Sequence, residues 1–201
     1  MNWIGLWTLT SREVGRFFKV YRQTVIPGLI SSVLYILIFG FTLEQRISSI
    51  EGISYTIFII PGLIMMNTLT NASSNPSSSL LQMKLTGQVP DLMQAPLSSL
   101  EISLAFIVGG VVRGVVNGIL ILLIGMWIGG MEVLYPIATI GFIFVVSIAF
   151  SSMGLLLGQL ADTWDQLATM QNFFLTPLSF LGGIFYSVNI LPDWAQTISA
   201  F

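Results

Sequence analysis

The sequence predicts an all-α polytopic membrane protein, and three observations carry that reading. Of its 201 residues 54% are hydrophobic and only 8% are charged, against about 25% charged in an ordinary soluble domain. A soluble exterior cannot be built from so few charges. The apolar residues are gathered into runs long enough to cross a bilayer, which takes about 20 residues. Those runs are continuously apolar rather than alternating, which favours helices over a membrane barrel.

Residues 1–22 come first and read as an amphipathic helix. Trp3, Trp7, Thr10, Val14, Phe17 and Tyr21 recur at helical spacing, while Arg12, Arg16 and Lys19 fall on another face and Arg22 follows. Aromatics opposite a basic face are the pattern of a helix lying in the membrane interface; a solvated basic N-terminus is the plainer alternative. The order of basic start, short apolar run and small-residue cleavage site that marks a signal peptide is absent.

Five apolar runs follow. The first is Val25–Leu43, uncharged between Arg22 and Glu44. The second is Ile53–Thr70, with Pro61 and Gly62 in its middle. The third, Ile102–Ile128, is interrupted only by Arg113. The fourth is Val133–Leu160 and the fifth Leu167–Val188. Glycine and proline do not veto them, because neighbouring helices can satisfy the freed backbone groups.

Between the second and third runs lies Asn75–Leu100, too polar for lipid and expected to be a cytoplasmic loop. Its lead-in, Asn75–Ser79, reads as the end of the second span and its connector. With the N-terminus inside, the inner segments hold Arg12, Arg16, Lys19, Arg22 and Lys84, and the outer segments only Arg46. That asymmetry sets the orientation. Within the loop, Val89–Leu100 fits a short helix ended near Pro96, with Pro90 in its first turn and Asp91 on its N-terminal dipole. Leu92 and Met93 are expected to face a partner or the membrane surface.

The missing residue types exclude several functions. There is no His and no Cys, which removes the commonest general base, proton shuttle and metal ligands. No metal site and no cofactor are expected. Seven Lys and Arg are too few for a nucleic-acid surface. No phosphate-cradling G-x-x-x-x-G-K-[ST] loop occurs, so the chain should not bind ATP by that means. No Asp or Glu is read deep in a span, where a gradient-driven transporter usually needs one. An intramembrane hydrolase would need a nucleophile with a base, and no His is available to act as one.

A few residues stand out inside the runs. Arg113 is the only charge within a span, with Asn117 one turn on and Gly110, Gly114 and Gly118 spaced for close helix packing. It is either a structural arginine bonding carbonyls of a neighbouring helix or a contact for an anionic substrate group. Pro61 with Gly62, and Pro177 with Gly182 and Gly183, are either passive irregularities or hinges. Gly154 and Gly158 read as plain helix packing.

Four segments in order resemble the permease of a type-2 ABC exporter: Phe58–Met66, with its Pro61-Gly62 step; Asp91–Ser98, leucine and proline before the third span; Gly109–Gly114, with its Arg113; and Thr176–Ser187, followed by Leu191-Pro192 and Trp194. The resemblance runs nearly end to end and implies a single transmembrane domain over residues 1–201. It implies six spans, of which five are present here, an interfacial first helix and an outer re-entrant segment. The sixth span and an Asn-Pro step expected soon after Ser199 are not found, so the chain reads as incomplete. It further implies a short coupling helix between spans two and three, which maps onto Gln88, Val89, Pro90, Asp91, Leu92, Met93, Gln94 and Ala95. Two permease copies would pair with two separate ATP-binding subunits, whose closure alternates access. Family members often carry a charge where this chain has Gln88 and Pro90. The expected function is the membrane subunit of an ATP-driven exporter moving an amphipathic drug, lipid or lipid-linked glycan out of the cell. The competing readings are a gradient-driven transporter or channel, a membrane enzyme and a non-transporting scaffold.

Overall fold

A computed structural model describes residues 2–41, 49–50, 52–181, 184, 186, 192 and 196. The chain is mostly helical. Helix α1 spans Trp3–Lys19, α2 Tyr21–Thr24 and α3 Ile26–Tyr35, which runs into a π-helical turn at Ile36–Phe41. A two-residue hairpin pairing Ser49 with Ser54 and Ile50 with Ile53 precedes α4, Tyr55–Leu85. Then come α5 at Val89–Gln94, α6 at Ser99–Gly129, α7 at Pro136–Leu160 and α8 at Trp164–Leu181.

Among the described residues, four helical segments are long and apolar enough to cross a membrane: Tyr21–Gly40, Tyr55–Leu85, Ser99–Gly129 and Pro136–Leu160. Helix α8 is not among them, being 18 residues long with Gln166, Thr169, Gln171 and Asn172 breaking its apolar character. The remainder of the expected fifth span, including Gly182 and Gly183, and the expected re-entrant segment fall largely outside the described residues.

The loop expected to start at Asn75 starts later. Helix α4 continues through Pro76 to Leu85, 31 residues in all. Serine is a poor interior helix residue because its hydroxyl competes with the backbone. Here that competition is resolved inside the helix: Ser74, Ser77 and Ser78 donate to the carbonyls of Thr70, Ser73 and Ser74 at 2.6–2.8 Å. Small side chains also let another helix come close. A Cβ built on Gly158 of α7 would stand 2.7 Å from Ser77 Cα. The second span and the connector are therefore one rod, and its polar third is buried against protein.

Helices α4, α6 and α7 form the central packing unit. Lipid tails are as apolar as leucine, so close backbone approach rather than water exclusion holds such a unit together. Pro76 has no N–H for the carbonyl of Ala72, and that carbonyl lies against Gly110 of α6, where a Cβ would be 2.6 Å from it. Gly114 abuts Ser147 and Thr68, and Gly118 abuts Thr68 and Ile143. Gly154 and Gly158 pack as the sequence reading has them, against Ser73 and Ser77. At the end away from α1, Tyr55, Ile59, Ile60, Leu63 and Ile121 make the larger apolar cluster.

Helix α1 lies against α6 through a face other than the one that carries its tryptophans. Leu9, Glu13 and Phe17 are its buried residues, while Trp3, Trp7 and Tyr21 are exposed. The buried stripe is the i, i+4, i+8 row, and the large aromatics are left for whatever lies outside the bundle. Glu13 is a buried carboxylate on α1, outside the spans in which the sequence reading finds no Asp or Glu.

Candidate functional site

Two regions collect the polar residues the bundle does not need for apolar packing. The first surrounds α5. Helix α4 ends in a Schellman turn: Gly87 takes φ +69°, its N–H donates to Lys84 O at 3.2 Å, and Gln88 N–H donates to Met83 O at 2.9 Å. Only glycine adopts that left-handed position without strain. The chain thereby reverses and enters α5 with Pro90 in the first turn and Asp91 at the positive end of the helix dipole. Pro96 blocks continuation, and Ser98 with Glu101 forms a capping box that starts α6. The six-residue helix is thus bracketed by two rigid stops.

Its residues divide by exposure. Val89, Leu92 and Leu97 pack on a cluster of Leu9, Met83, Ala105 and Phe106. Pro90, Asp91, Met93 and Gln94 are exposed, Met93 at 78%. Leu92 therefore turns inward, whereas Met93 faces out as expected. Helix α1 braces the unit from one side. Arg12 donates to Gln88 Oε1 at 3.3 Å and reaches Met83 Sδ at 3.6 Å. The Asn2 side chain donates to Pro96 O at 3.2 Å, and its backbone N–H donates to Glu101. Between α1 and α5 lies a cavity of about 450 Å³, lined in part by Thr8, Arg12, Gln88 and Asp91. Gln88 is thus met by a cation from α1.

Lys84 performs a related bracing at the end of α7. Its ammonium donates to Gln159 O and Ala161 O at 3.0 and 2.6 Å and pairs with Asp162 at 2.9 Å. A cation there satisfies terminal carbonyls and opposes the helix dipole.

The second region is a buried polar layer across α1, α4 and α6. Arg16 donates to Asn75 O at 2.6 Å and to Asn75 Oδ1 at 3.2 Å. Glu13 stands 3.6 Å from Arg16 Nε, an ion pair just beyond hydrogen-bond reach, and its carboxylate accepts no hydrogen bond among the described residues. Burial lowers the Arg16 pKa, and the Glu13 charge opposes that shift. One turn up α4, Asn71 Oδ1 accepts from Arg113 Nε at 3.1 Å. Asn117 donates to Arg113 O at 2.8 Å. Arg113 and Asn117 are both buried, so the structure places them together, as their spacing predicts. Arg113 bonds no carbonyl of a neighbouring helix among the described residues; its partner is a side-chain amide. Asn71, Asn75, Glu13 and Arg16 were not singled out as site residues by sequence reading. The signal for the first two is a row of asparagines, Asn67, Asn71 and Asn75, at i, i+4 and i+8.

Pro61 sits within an unbroken α4 and Pro177 within α8. A Cβ on Gly62 would meet Ile184 Cα at 2.8 Å, so the first of the expected hinge pairs lies at a close contact. Among the described residues no three His, Cys, Asp or Glu side chains converge as a metal site would require.

Comparison with known proteins adds a family. The sequence profile of the ABC-2 type transporter family matches residues 5–201. The inner membrane transport permease YadH of Escherichia coli (strain K12) is 36% identical over 199 residues, covering 99% of this chain and 78% of the relative. Nodulation protein J of Rhizobium leguminosarum bv. viciae is 24% identical over 204 residues, covering 100% and 77%. Nodulation protein J of Sinorhizobium fredii (strain NBRC 101917 / NGR234) is 24% identical over 201 residues, covering 98% and 75%.

Proposed function

The chain belongs to the ABC-2 type transporter family and is a transport permease subunit, and on that footing we propose that it is the membrane half of an ATP-driven exporter. It resides in the inner membrane, as the name of its Escherichia coli relative states for that protein. Its N-terminus faces the cytoplasm and five spans are present, the fifth built on α8, with a re-entrant segment following on the outer side. Two copies pair with each other and with separate ATP-binding subunits, and ATP hydrolysis belongs to those subunits. The cargo is an amphipathic drug, a lipid or a lipid-linked glycan.

The observation that carries this reading is the construction of α5. A helix of six residues is too short to be stable alone. It is held by a Schellman turn before it, a capping box after it and α1 beside it, yet its Pro90, Asp91, Met93 and Gln94 are exposed. Rigid support behind an exposed face suits a lever pushed by a partner. Gln88, Val89, Leu92 and Ala95 form the supported side of the same lever. Pro61, Gly62, Pro177, Gly182 and Gly183 are the positions where the spans would bend as access alternates.

The test is affinity purification of the full chain from its native membrane. A co-purifying nucleotide-binding protein, released by Asp91→Lys with Met93→Asp, is the expected result. Transport that persists without ATP, driven by an ion gradient, would favour the alternative of a secondary transporter or channel.

A further inference from the structure

Arg113 has hydrogen-bonding capacity that the bundle does not use. Its Nε is taken by Asn71, but its two terminal nitrogens make no hydrogen bond and meet no carboxylate among the described residues. They are not sealed in either. Arg113 lines a cavity of about 300 Å³ with Ser74, Ser78, Trp164 and Gln171. Among the described residues no acidic side chain lines that cavity. A buried guanidinium without a counter-ion is costly at membrane depth, and its planar fork of N–H donors matches an oxyanion.

The cavity does not stand alone. Gln171 also lines a smaller space of about 80 Å³, which is bounded by Met66, Thr70 and Ser179. Met66 and Ser179 in turn line a third space of about 590 Å³, walled by Phe58, Met65 and Met131 among others. The three follow one another along the seam between α4 and α8, on the α4 row 78, 74, 70, 66 and 62, one turn apart. Polar groups line the Arg113 end and mainly apolar, methionine-rich groups the other, where flexible thioethers adapt to irregular apolar shapes. Among the described residues one carboxylate, Glu132, lines that far end, and the unpaired cation at the other end, Arg113, is the place for an anion. A cavity of about 300 Å³ is at the small end for ligand sites, so it takes a headgroup rather than a whole amphiphile.

We infer that the seam between α4 and α8 binds an amphiphile with an oxyanion headgroup, the headgroup held by Arg113 and the apolar part directed toward Met66 and Met131. The inference rests on the permease reading for its purpose and narrows the cargo class, but it can be tested apart from it. The purified full chain, in a phosphate-free maltoside detergent, is titrated with dioctanoyl phosphatidic acid, dioctanoylglycerol and inorganic phosphate, without any ATPase subunit.

Phosphatidic acid should bind, and dioctanoylglycerol should bind at least tenfold more weakly. Arg113→Gln should weaken phosphatidic acid binding about tenfold or more, since a charge-assisted hydrogen bond is lost, and Arg113→Lys should recover part of it. Should Arg113→Gln fail to fold, Ala168→Trp fills the cavity while leaving Arg113 and Asn71 in place, and it should also abolish binding. Competition by inorganic phosphate at similar affinity would identify a free phosphorylated solute as the source. Binding only of the acylated probe would identify a lipid headgroup. Equal binding by wild type, Arg113→Gln and Ala168→Trp overturns the site, as does equal affinity for dioctanoylglycerol. Intact Arg113-dependent binding in a chain that never couples to an ATPase would sink the permease reading and leave the site standing.

Discussion

Arg12 of the first helix donates to the side chain of Gln88 at 3.3 Å, across 76 positions of sequence. The bond ties α1 to the turn that launches α5. It is exposed, so its net worth in stability is small, roughly 0.5–1.5 kcal/mol. Its mechanical role is separable from that figure. Arg12→Ala should lower energised transport several-fold while shifting thermal unfolding only slightly. Transport assays in vesicles beside unfolding curves in detergent check this, and an equal loss in both would reduce the contact to a structural one.

The Schellman turn gives a second prediction. Gly87 has φ +69°, and nothing lies within 4 Å of a Cβ built there. Gly87→Ala therefore meets backbone strain and no clash. It should cost about 1 kcal/mol, with Gly87→Asn milder because Asn tolerates the left-handed region. Thermal unfolding of both variants in one detergent decides it.

Close approach of α4 and α7 gives a third. Gly158→Ala would place its Cβ 2.7 Å from the Ser77 backbone. Overpacking of this kind costs about 1–3 kcal/mol. Gly141→Ala, with nothing within 4 Å, should be neutral or stabilising because alanine is the better helix former. The two variants differ only in position, so an equal response would contradict the packing.

The pair Glu13 and Arg16 gives a fourth. Arg16→Met leaves a fully buried carboxylate without its cation, and breaking a buried pair from one side costs about 3–5 kcal/mol. Glu13→Gln should be far milder, because the amide has no charge to compensate. Adding Glu13→Leu to Arg16→Met should restore much of the loss. Unfolding measurements on these variants together with Glu13→Leu alone would expose a failure of additivity, or its absence.

Much of the fold was legible because a bilayer restricts what a chain can do. Apolar runs must be helices of a certain length, and α6 and α7 begin and end within three residues of the predicted spans Ile102–Ile128 and Val133–Leu160. The short helix over 89–94 was legible from Pro90, Asp91 and Pro96, since each acts on its own backbone. Arg113 with Asn117 was legible because an i, i+4 spacing needs no tertiary information. The extent of α4 was not. A serine-rich stretch is helical only if its hydroxyls bond back and a glycine face on another helix admits it, and nothing local to Asn75–Leu85 reveals Gly110 or Gly158.

The sequence by itself determined the solvent: a membrane, crossed by helices, with no His or Cys chemistry and no phosphate-cradling loop. It determined these things because composition and periodicity are properties of the chain alone. Tertiary structure decided which polar groups meet. It turned Leu9, Glu13 and Phe17 of α1 toward the bundle and left the tryptophans exposed, and it set Arg12 against Gln88 and Arg113 against Asn71, with no further partner for the Arg113 guanidinium among the described residues. Those outcomes depend on how far one helix slides and rotates against another, and that is fixed by side-chain fit across the whole bundle.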